Sequence, residues 1–270
     1  MAKGSIGMHI IIPTRGRLNN QLTIKSLIGC ELIRRTTIVC PKKEYSHFRG
    51  LRTDYDVVAQ PDPDMKIAEK RAWIMEEWHR QGHEKIIMLD DDLRFATRKS
   101  EGDWKLKEII GDDLIPEFKR IEEKLGPDCP HAGFGQRQGN NRLESVGWKS
   151  PGKIVYALGY YLPVVVKECK FGRINLREDM ELALQLLLKG YSNAVWNTTV
   201  VDQREYGKGG GTSNERTVEI SNAEAQKLAS LFPGYVSTVE REYKASTPRI
   251  EVVIQWQKAL EDGQRRRTQG

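Results

Sequence analysis

The sequence predicts an α/β fold in which helices flank a Rossmann-like, mixed but mostly parallel sheet. Two observations lead to this prediction. Short apolar runs typical of buried strands alternate with helical patterns, and polar turns follow the strand ends. Strands separated by helices imply βαβ units, and sheets of this kind bind ligands beyond the carboxyl ends of their strands.

The first half of the chain supplies four predicted strands and two predicted helices. Pro13 stops the first strand and Pro41 stops the second. The longer helix carries apolar residues such as Ile67 and Ile74 on one face, which is typical of a helix packed on a core. The predicted strands are 9–12, 36–40, 55–59 and 85–89, and the predicted helices are 21–28 and 67–80.

The second half has a less regular pattern. We expect helices at 112–125 and 177–188, strands within 153–166 and at 194–201, and an irregular segment or β-ribbon at 131–148. A glycine-rich loop covers 207–214. The segment 221–224 resembles a capping box that opens a helix. A last amphipathic helix is predicted at 250–260, before a frayed basic tail that contains 265–267. These elements predict one domain over residues 1–205 and a helical extension over 206–270 that packs on it.

Composition limits the class of protein. With 270 residues, 39% hydrophobic and 30% charged, the chain has the make-up of a globular protein. It has no run of about 20 apolar residues that would cross a membrane and no recognisable signal peptide, so we expect a cytoplasmic protein without a membrane partner. The cysteines are scattered without a CxxC pair, which indicates core residues in a reducing compartment.

The formal net charge of +6 suits a polyanionic partner such as nucleic acid. The same charge can serve solubility alone, so it does not identify a partner.

The strongest chemical signal is the triplet Asp90-Asp91-Asp92, which directly follows the predicted strand 85–89. Three adjacent carboxylates repel one another unless a cation lies among them. Mg²⁺ and Mn²⁺ prefer such hard oxygen ligands and can also hold diphosphate oxygens. The alternative is a solvated acidic turn.

Other charged groups fall at places where a ligand would lie. Glu178 and Asp179 open the helix 177–188, where a carboxylate can act as a general base or only as a cap. The turn after the first strand and the first long helix carry basic residues that suit phosphate or base, or form a solvated face. These candidates for the nucleotide site are Pro13, Thr14, Arg15, Arg17, Lys66, Lys70 and Arg71.

Four segments together resemble the GT-A-fold glycosyltransferases in order and spacing over residues 8–205. They are Ile11-Ile12-Pro13-Thr14-Arg15, Lys70-Arg71, Asp90-Asp91-Asp92 and Arg177-Glu178-Asp179. The resemblance implies a metal-assisted, inverting hexosyltransferase that uses a nucleotide sugar, with a UDP-sugar as the expected donor. It divides the catalytic domain into a nucleotide-sugar half, about 1–100, and an acceptor half, about 101–205.

The resemblance also implies residue roles. The loop after the first strand and Arg71 would hold the nucleoside. Asp90 and Asp91 would lie at the diphosphate, and Asp90 and Asp92 at the metal. Asp179 would be the base, with Glu178 beside it. One departure concerns the metal: members commonly supply a later histidine ligand, and this sequence has no histidine after His131. Asp202 or Gln203 lies nearest the expected place, and we expect Asp202 as the third ligand.

More narrowly, the chain is similar to the phage-type glycosyltransferases associated with TET/JBP base oxygenases. The features are the segments 134–142 and 206–213 and the basic charge balance. This resemblance implies transfer to a hydroxymethylated DNA base, expected to be 5-hydroxymethylcytosine, in the cytoplasm of a bacterial host if a bacteriophage encodes the chain. The expected acceptor-binding residues are Arg137, Arg142, Lys208, Gly209 and Gly210.

A base inside a duplex must be flipped out of the stack before it can react. Tyr160, Tyr161 or Trp148 would then stack on it, or would simply pack in the core. Two other functions remain open from the sequence: a glycosyltransferase of the same fold that acts on carbohydrate, lipid or protein, and a DNA-binding protein without enzymatic activity.

Overall fold

The computed structural model describes residues 7–51, 54–98, 105–138, 146–203, 217–242 and 248–269. The strands are β1 His9–Pro13, β2 Thr36–Cys40, β3 Asp56–Ala59, β4 Lys85–Leu89, β5 Leu93–Arg98, β6 Leu106–Ile109, β7 His131–Gln136, β8 Trp148–Lys149, β9 Ala157–Tyr161, β10 Asn193–Gln203, β11 Val236–Arg241 and β12 Arg249–Ile254. The helices are α1 Leu22–Leu27, α2 Lys42–Leu51, α3 Ile67–Arg80, α4 Ile115–Lys124, α5 Leu162–Glu168, α6 Glu178–Leu188, α7 Val218–Leu231 and α8 Trp256–Gln269.

The central sheet has the strand order β3-β2-β1-β4-β9-β7-β10-β5-β6, with β8 paired to β10. Strands β3, β2, β1 and β4 form a parallel half. Of the ten strands that the described residues contribute to this sheet, seven run in one direction, and β5, β8 and β9 oppose them. The predicted fold class, a mixed and mostly parallel sheet flanked by helices, is confirmed.

The central strands β1, β2, β4 and β7 are buried on both faces because helices cover each side. Ile10 and Ile12 of β1 pack in one core cluster with α1, α2 and α4, whereas Ile11 packs in a second cluster with α3, α5 and α6. This alternation follows from the period of two residues in a strand. The two helical layers leave the carboxyl ends of β1, β4, β7 and β10 at one edge of the sheet.

Several predicted elements were wrong. Residues 162–166 begin helix α5 and do not continue β9, because Pro163 lies in the first helical turn and the buried Leu162 and Val165 are spaced to pack on one face. The segment 131–148 contains the buried strand β7. The first half of the predicted helix 250–260 belongs to strand β12, because each residue from Arg249 to Ile254 pairs with a residue of β11.

The C-terminal region packs on α6 through a third core cluster. Leu184 and Leu187 of α6 meet Leu228 of α7 and Leu260 of α8. Helix α7 begins at Val218 after the N-cap Thr217, so the predicted capping box at 221–224 lies inside the helix. Residues 265–267 continue α8 and are not a frayed tail.

All four cysteines are buried and free, as the scattered spacing predicts. Within the described ranges, every helix is too short or too polar to cross a lipid bilayer.

Candidate active site

The carboxyl ends of β1 and β4 bring the first-strand turn against the acidic triplet. The two strands pair in parallel, so Pro13 and Thr14 emerge beside Asp90 and Asp91. The Thr14 hydroxyl donates to Asp91 Oδ2 and accepts from Gln21 Nε2 at 2.9 Å. The predicted proximity of these two motifs therefore follows from the sheet topology.

Arg17 forms ion pairs with two of the three aspartates, Asp91 and Asp92. Its Nη1 atom lies 3.0 Å from Asp91 Oδ1 and 2.5 Å from Asp92 Oδ2. Burial raises the pKa of Asp91 to about 7, although the Thr14 hydrogen bond and Arg17 favour its carboxylate. Asp92 has no exposed surface at all. The predicted roles of Asp91 at the diphosphate and Asp92 at the metal would therefore require these internal contacts to rearrange.

Arg71 joins the acidic triplet to the start of α6. Its Nη2 donates to Asp90 Oδ1 at 2.7 Å, and its Nη1 donates to Glu178 Oε1. Burial by itself would lower the pKa of Arg71, but the Glu178 and Asp90 carboxylates raise it, so the guanidinium stays charged. Burial also raises the pKa of Glu178, and Arg71 opposes that rise. The guanidinium thus links the two acidic motifs, which are far apart in the sequence.

The remaining predicted nucleotide residues divide into two groups. Lys70 is buried and donates from Nζ to the Thr14 carbonyl at 3.0 Å, and burial lowers the pKa of its ammonium group to about 8. Arg15 is half-buried and donates to the Pro63 carbonyl at 2.8 Å. Lys66 is exposed at the N-cap of α3, and its backbone N–H donates to Glu69 Oε2 at 2.9 Å. Lys66 and Lys70 thus differ in burial, although helical spacing places them on one side.

Asp179 lies in the first turn of α6, half-buried beside Glu178. Its Oδ1 atom accepts from the Met180 backbone N–H at 2.8 Å. It borders a small cleft between α3, α6 and the loop before α6, whose lining includes Ala68, Arg71, Met75, Tyr160, Lys170, Phe171, Gly172, Glu178, Glu181, Leu182 and Gln185. A carboxylate in this place can take a proton from a hydroxyl group that enters the cleft.

Gln203, at the end of β10, lies beside Asp90 Oδ2, whereas Arg71 contacts Asp90 Oδ1. The Gln203 amide nitrogen lies 3.4 Å from Asp90 Oδ2, and the buried Gln203 Oε1 has no hydrogen-bond partner among the described residues. Asp202 instead lies 3.7 Å from Arg137 Nη1. In the part of the chain that the structure describes, no three His, Cys, Asp or Glu side chains converge as a ready metal site. The predicted set of Asp90, Asp92 and Asp202 is therefore not gathered around one point.

Sequence reasoning missed several residues that support this site. Tyr156 has a positive φ of 67°, and its carbonyl accepts the Asp90 backbone N–H at 2.9 Å. Thr23 accepts from Leu93 N at 2.9 Å and donates to the Asp90 carbonyl at 2.5 Å. No sequence signal marks these contacts, because each joins residues that are far apart in the chain.

Two of the aromatic residues suggested for base stacking, Tyr160 and Trp148, are engaged by other aromatic rings. Tyr160 is buried and stacks on His131, with ring centroids 4.7 Å apart. Trp148 packs against Trp196 near the other end of β10. Seven strand residues separate Trp196 from Gln203, which corresponds to roughly 20 Å at about 3.3 Å per residue. Trp148 is exposed but lies toward the far end of β10 from the candidate site. Tyr160 lines the cleft beside Asp179, but its ring is buried and already stacked on His131.

The predicted acceptor residues are only partly described. Arg137 follows β7 at the same sheet edge as Asp90 and Gln203, and it is paired with Asp202. The other four, Arg142, Lys208, Gly209 and Gly210, lie outside the described residues.

Comparison with known proteins now identifies the class. Residues 8–211, well over half of the 270-residue chain, match the family described as TET-Associated Glycosyltransferase. Among solved structures, the chain is similar to mannose-1-phosphate geranyltransferase from Thermus thermophilus, with 11% identity and a TM-score of 0.37; the match covers 71% of this chain and 58% of that one. A comparison with curated proteins finds no match. This chain belongs to the TET-associated glycosyltransferase family, and it is therefore an enzyme that takes its sugar from an activated donor.

Proposed function

We propose that this enzyme transfers a sugar from a nucleotide sugar, expected to be a UDP-sugar, to a hydroxymethylated base in DNA, expected to be 5-hydroxymethylcytosine. The observation that carries the proposal is the Arg71 guanidinium, which contacts Asp90 at the end of β4 and Glu178 at the start of α6. This contact supports the proposal because it joins Asp90, expected at the diphosphate, to Glu178, the neighbour of the expected base Asp179. Membership of the family excludes the alternative of a DNA-binding protein without enzymatic activity.

The donor would lie over the carboxyl ends of β1 and β4. Arg15 and Lys70 provide positive charge at the turn after β1, and Arg71 provides it beside Asp90. Cationic side chains at this edge suit the phosphates of a nucleoside diphosphate.

A divalent cation, Mg²⁺ or Mn²⁺, is part of the proposal. Mg²⁺ is usually held by one or two carboxylates together with substrate phosphates, so a closed set of protein ligands is not required. The Asp90 carboxylate and the Gln203 amide lie at the same edge of the sheet, and the amide oxygen has no hydrogen-bond partner among the described residues. The two side chains would hold such an ion once the Gln203 amide turned its oxygen, in place of its nitrogen, toward Asp90. When bound, the ion would offset charge on the departing diphosphate. Gln203 lies beside Asp90, whereas Asp202 is paired with Arg137, so the proposal takes Gln203 in place of Asp202 as the second protein ligand of the ion.

The chemical step follows from the position of Asp179. The acceptor hydroxyl oxygen bonds to the anomeric carbon as the bond from that carbon to the diphosphate oxygen breaks. Asp179 takes the hydroxyl proton, and the nucleoside diphosphate leaves with the electron pair. A single displacement of this kind inverts the anomeric carbon. Arg71 holds Glu178 and Asp90 at fixed positions beside this event.

Two observations support DNA as the acceptor. The matched family is named for its association with TET, and the chain carries a net charge of +6. Arg137 lies at the edge of the sheet that holds Asp90 and can meet a phosphate if its 3.7 Å contact with Asp202 opens. A flipped base is the form in which a duplex would present its hydroxymethyl group to the cleft.

The proposal is tested by incubating the protein with hydroxymethylated or unmodified DNA, a panel of nucleotide sugars and Mg²⁺ or Mn²⁺. Nucleoside mass spectrometry then detects a hexose on the modified base. We expect a product only from hydroxymethylated DNA. Transfer to an oligosaccharide, lipid or peptide with none to DNA would contradict the proposal and favour the other acceptor class.

The first quantitative prediction concerns Asp90, the proposed carboxylate ligand of the cation. Asp90→Ala should lower the transfer rate about a hundredfold or more, because several kcal/mol of stabilisation of the leaving group is lost. Excess chelator should have the same effect on the native enzyme, and Mg²⁺ or Mn²⁺ should restore it. Glu123→Gln, an exposed position on α4, is the control. Full activity in chelator would refute the metal assignment.

Binding to DNA should weaken steeply as salt is added. Each phosphate contact releases a counterion, so log K should fall linearly with log salt with a slope of about −0.9 per contact on duplex DNA. Arg137→Ala should reduce the magnitude of that slope by about 0.9, the value for one phosphate contact. Fluorescence anisotropy with a labelled duplex measures both. An affinity that does not change with salt would contradict a phosphate-binding surface.

A further inference from the structure

The C-terminal region contacts the loop that leads into α6. Glu224 of α7 accepts two backbone N–H groups of this loop through Oε2, from Asn175 at 2.7 Å and from Leu176 at 3.1 Å. Glu224 and most of α7, β11, β12 and α8 lie beyond residue 211, where the family match ends. These contacts therefore come from a part of the chain to which the matched family region assigns no role.

Arg177, the residue before the acidic pair, has an unusual backbone conformation. Its φ of 78° and ψ of 24° place a non-glycine residue in the left-handed region. Such a conformation costs about 1–3 kcal/mol and persists only where the surroundings fix it. The Arg177 guanidinium donates to the Ser221 carbonyl at 2.9 Å and to its hydroxyl at 3.3 Å. Helix α7 thus fixes the backbone immediately before Glu178.

The other end of α6 is held by α8. A Cβ atom added to Gly263 would lie 2.0 Å from the Leu187 carbonyl oxygen and 2.7 Å from Gly190 N, so the two backbones are in direct contact. Arg266 Nη2 also donates to the Leu188 carbonyl at 3.3 Å. The helix that carries Glu178 and Asp179 is therefore fixed at both ends by elements near the C-terminus.

We infer that Glu224 is a positioning residue for the transfer reaction, acting through the loop 175–177 on the direction of Asp179. The inference rests on the proposed role of Asp179 as the base. Glu224 touches no reacting group. Its two hydrogen bonds and the Arg177–Ser221 contact determine where the first turn of α6 begins, and hence where the Asp179 carboxylate lies. A displacement of about 1 Å in a reacting group can cost about a hundredfold in rate.

The test compares Glu224→Ala with Glu224→Gln, which keeps an oxygen acceptor for the two N–H groups. Gln226→Ala, at an exposed position of the same helix, is the matched control. Single-turnover transfer and the KM for donor and DNA are measured at a temperature where each variant is folded. We expect Glu224→Ala to lower kcat about tenfold to a hundredfold with little change in either KM. Glu224→Gln should recover most of the rate, and Gln226→Ala should match the native enzyme.

A lower melting temperature in Glu224→Ala with a native kcat would overturn the inference, because α7 would then only stabilise the fold. If Glu224→Ala does not fold, Arg177→Gly replaces it, since glycine adopts the left-handed conformation without strain while the tether to Ser221 is lost. Glu224→Asp, which keeps the carboxylate but shortens its reach to the two N–H groups, is measured beside it, and native kcat values in both variants overturn the inference. Asp179→Asn is measured in parallel. If it is slow while Glu224→Ala is not, only the positioning role fails; if it turns over normally, the proposed base fails, and this inference with it.

Discussion

Asp179→Asn should lower kcat by about a hundredfold to ten-thousandfold, the usual contribution of a general base. A hydroxyl group is a weak nucleophile until its proton is removed as the new bond forms. Asp179 lies in the first turn of α6, at the positive end of the helix dipole, and its carboxylate is the proposed proton acceptor. Asparagine preserves the shape and cannot take the proton, so nucleotide and DNA binding should remain nearly native. Single-turnover kinetics and calorimetric titrations measure these quantities.

Glu178→Gln provides the comparison for Asp179→Asn. Glu178 is already engaged by Arg71, so we expect a smaller loss of kcat and a larger loss of thermal stability. If both carboxylates served only to cap α6, each substitution would cost on the order of 1 kcal/mol of stability and leave kcat unchanged once the protein is folded. A native turnover rate in Asp179→Asn would therefore refute the proposed base.

Arg71→Ala should cost up to about 3–5 kcal/mol of stability, because it removes a buried guanidinium and leaves two half-buried carboxylates without their cation. Asp90 and Glu178 would then face each other across the vacated space, and transfer should be lost as well. Chemical denaturation measures the first effect, and single-turnover transfer by the folded fraction measures the second. Calorimetric titration measures the binding of donor and acceptor. Donor binding should weaken more than acceptor binding, because the diphosphate site is the one that loses its guanidinium.

Arg71→Lys separates charge from geometry. Lysine retains a positive charge but cannot present two nitrogen atoms in the planar fork that contacts Asp90 and Glu178 at once. We expect it to recover part of the stability and little of the transfer rate. If Arg71→Lys transfers at the native rate, the two-sided contact has no catalytic importance. Arg80→Lys, an exposed position on the same helix, is the control.

The sequence alone determined the parallel half of the sheet and the edge at which the turn after β1 meets the acidic triplet. Strands β2 and β4 and helix α3 have the predicted bounds, because short apolar runs and an amphipathic repeat are local signals that burial preserves. The Asp90-Asp91-Asp92 triplet and the turn after β1 meet as predicted, because parallel neighbours end at the same edge. These inferences need only the periodicity of each element and the rules of strand connection.

Only the tertiary structure decided which of these groups contact one another. The sequence presents the three aspartates as equivalent, yet Arg17 pairs with Asp91 and Asp92, while Arg71 and Gln203 approach Asp90. The left-handed Arg177 and its contacts to α7 are also absent from any local pattern. Partner choice in an ion pair depends on distance and burial, which long-range packing sets and local sequence does not encode.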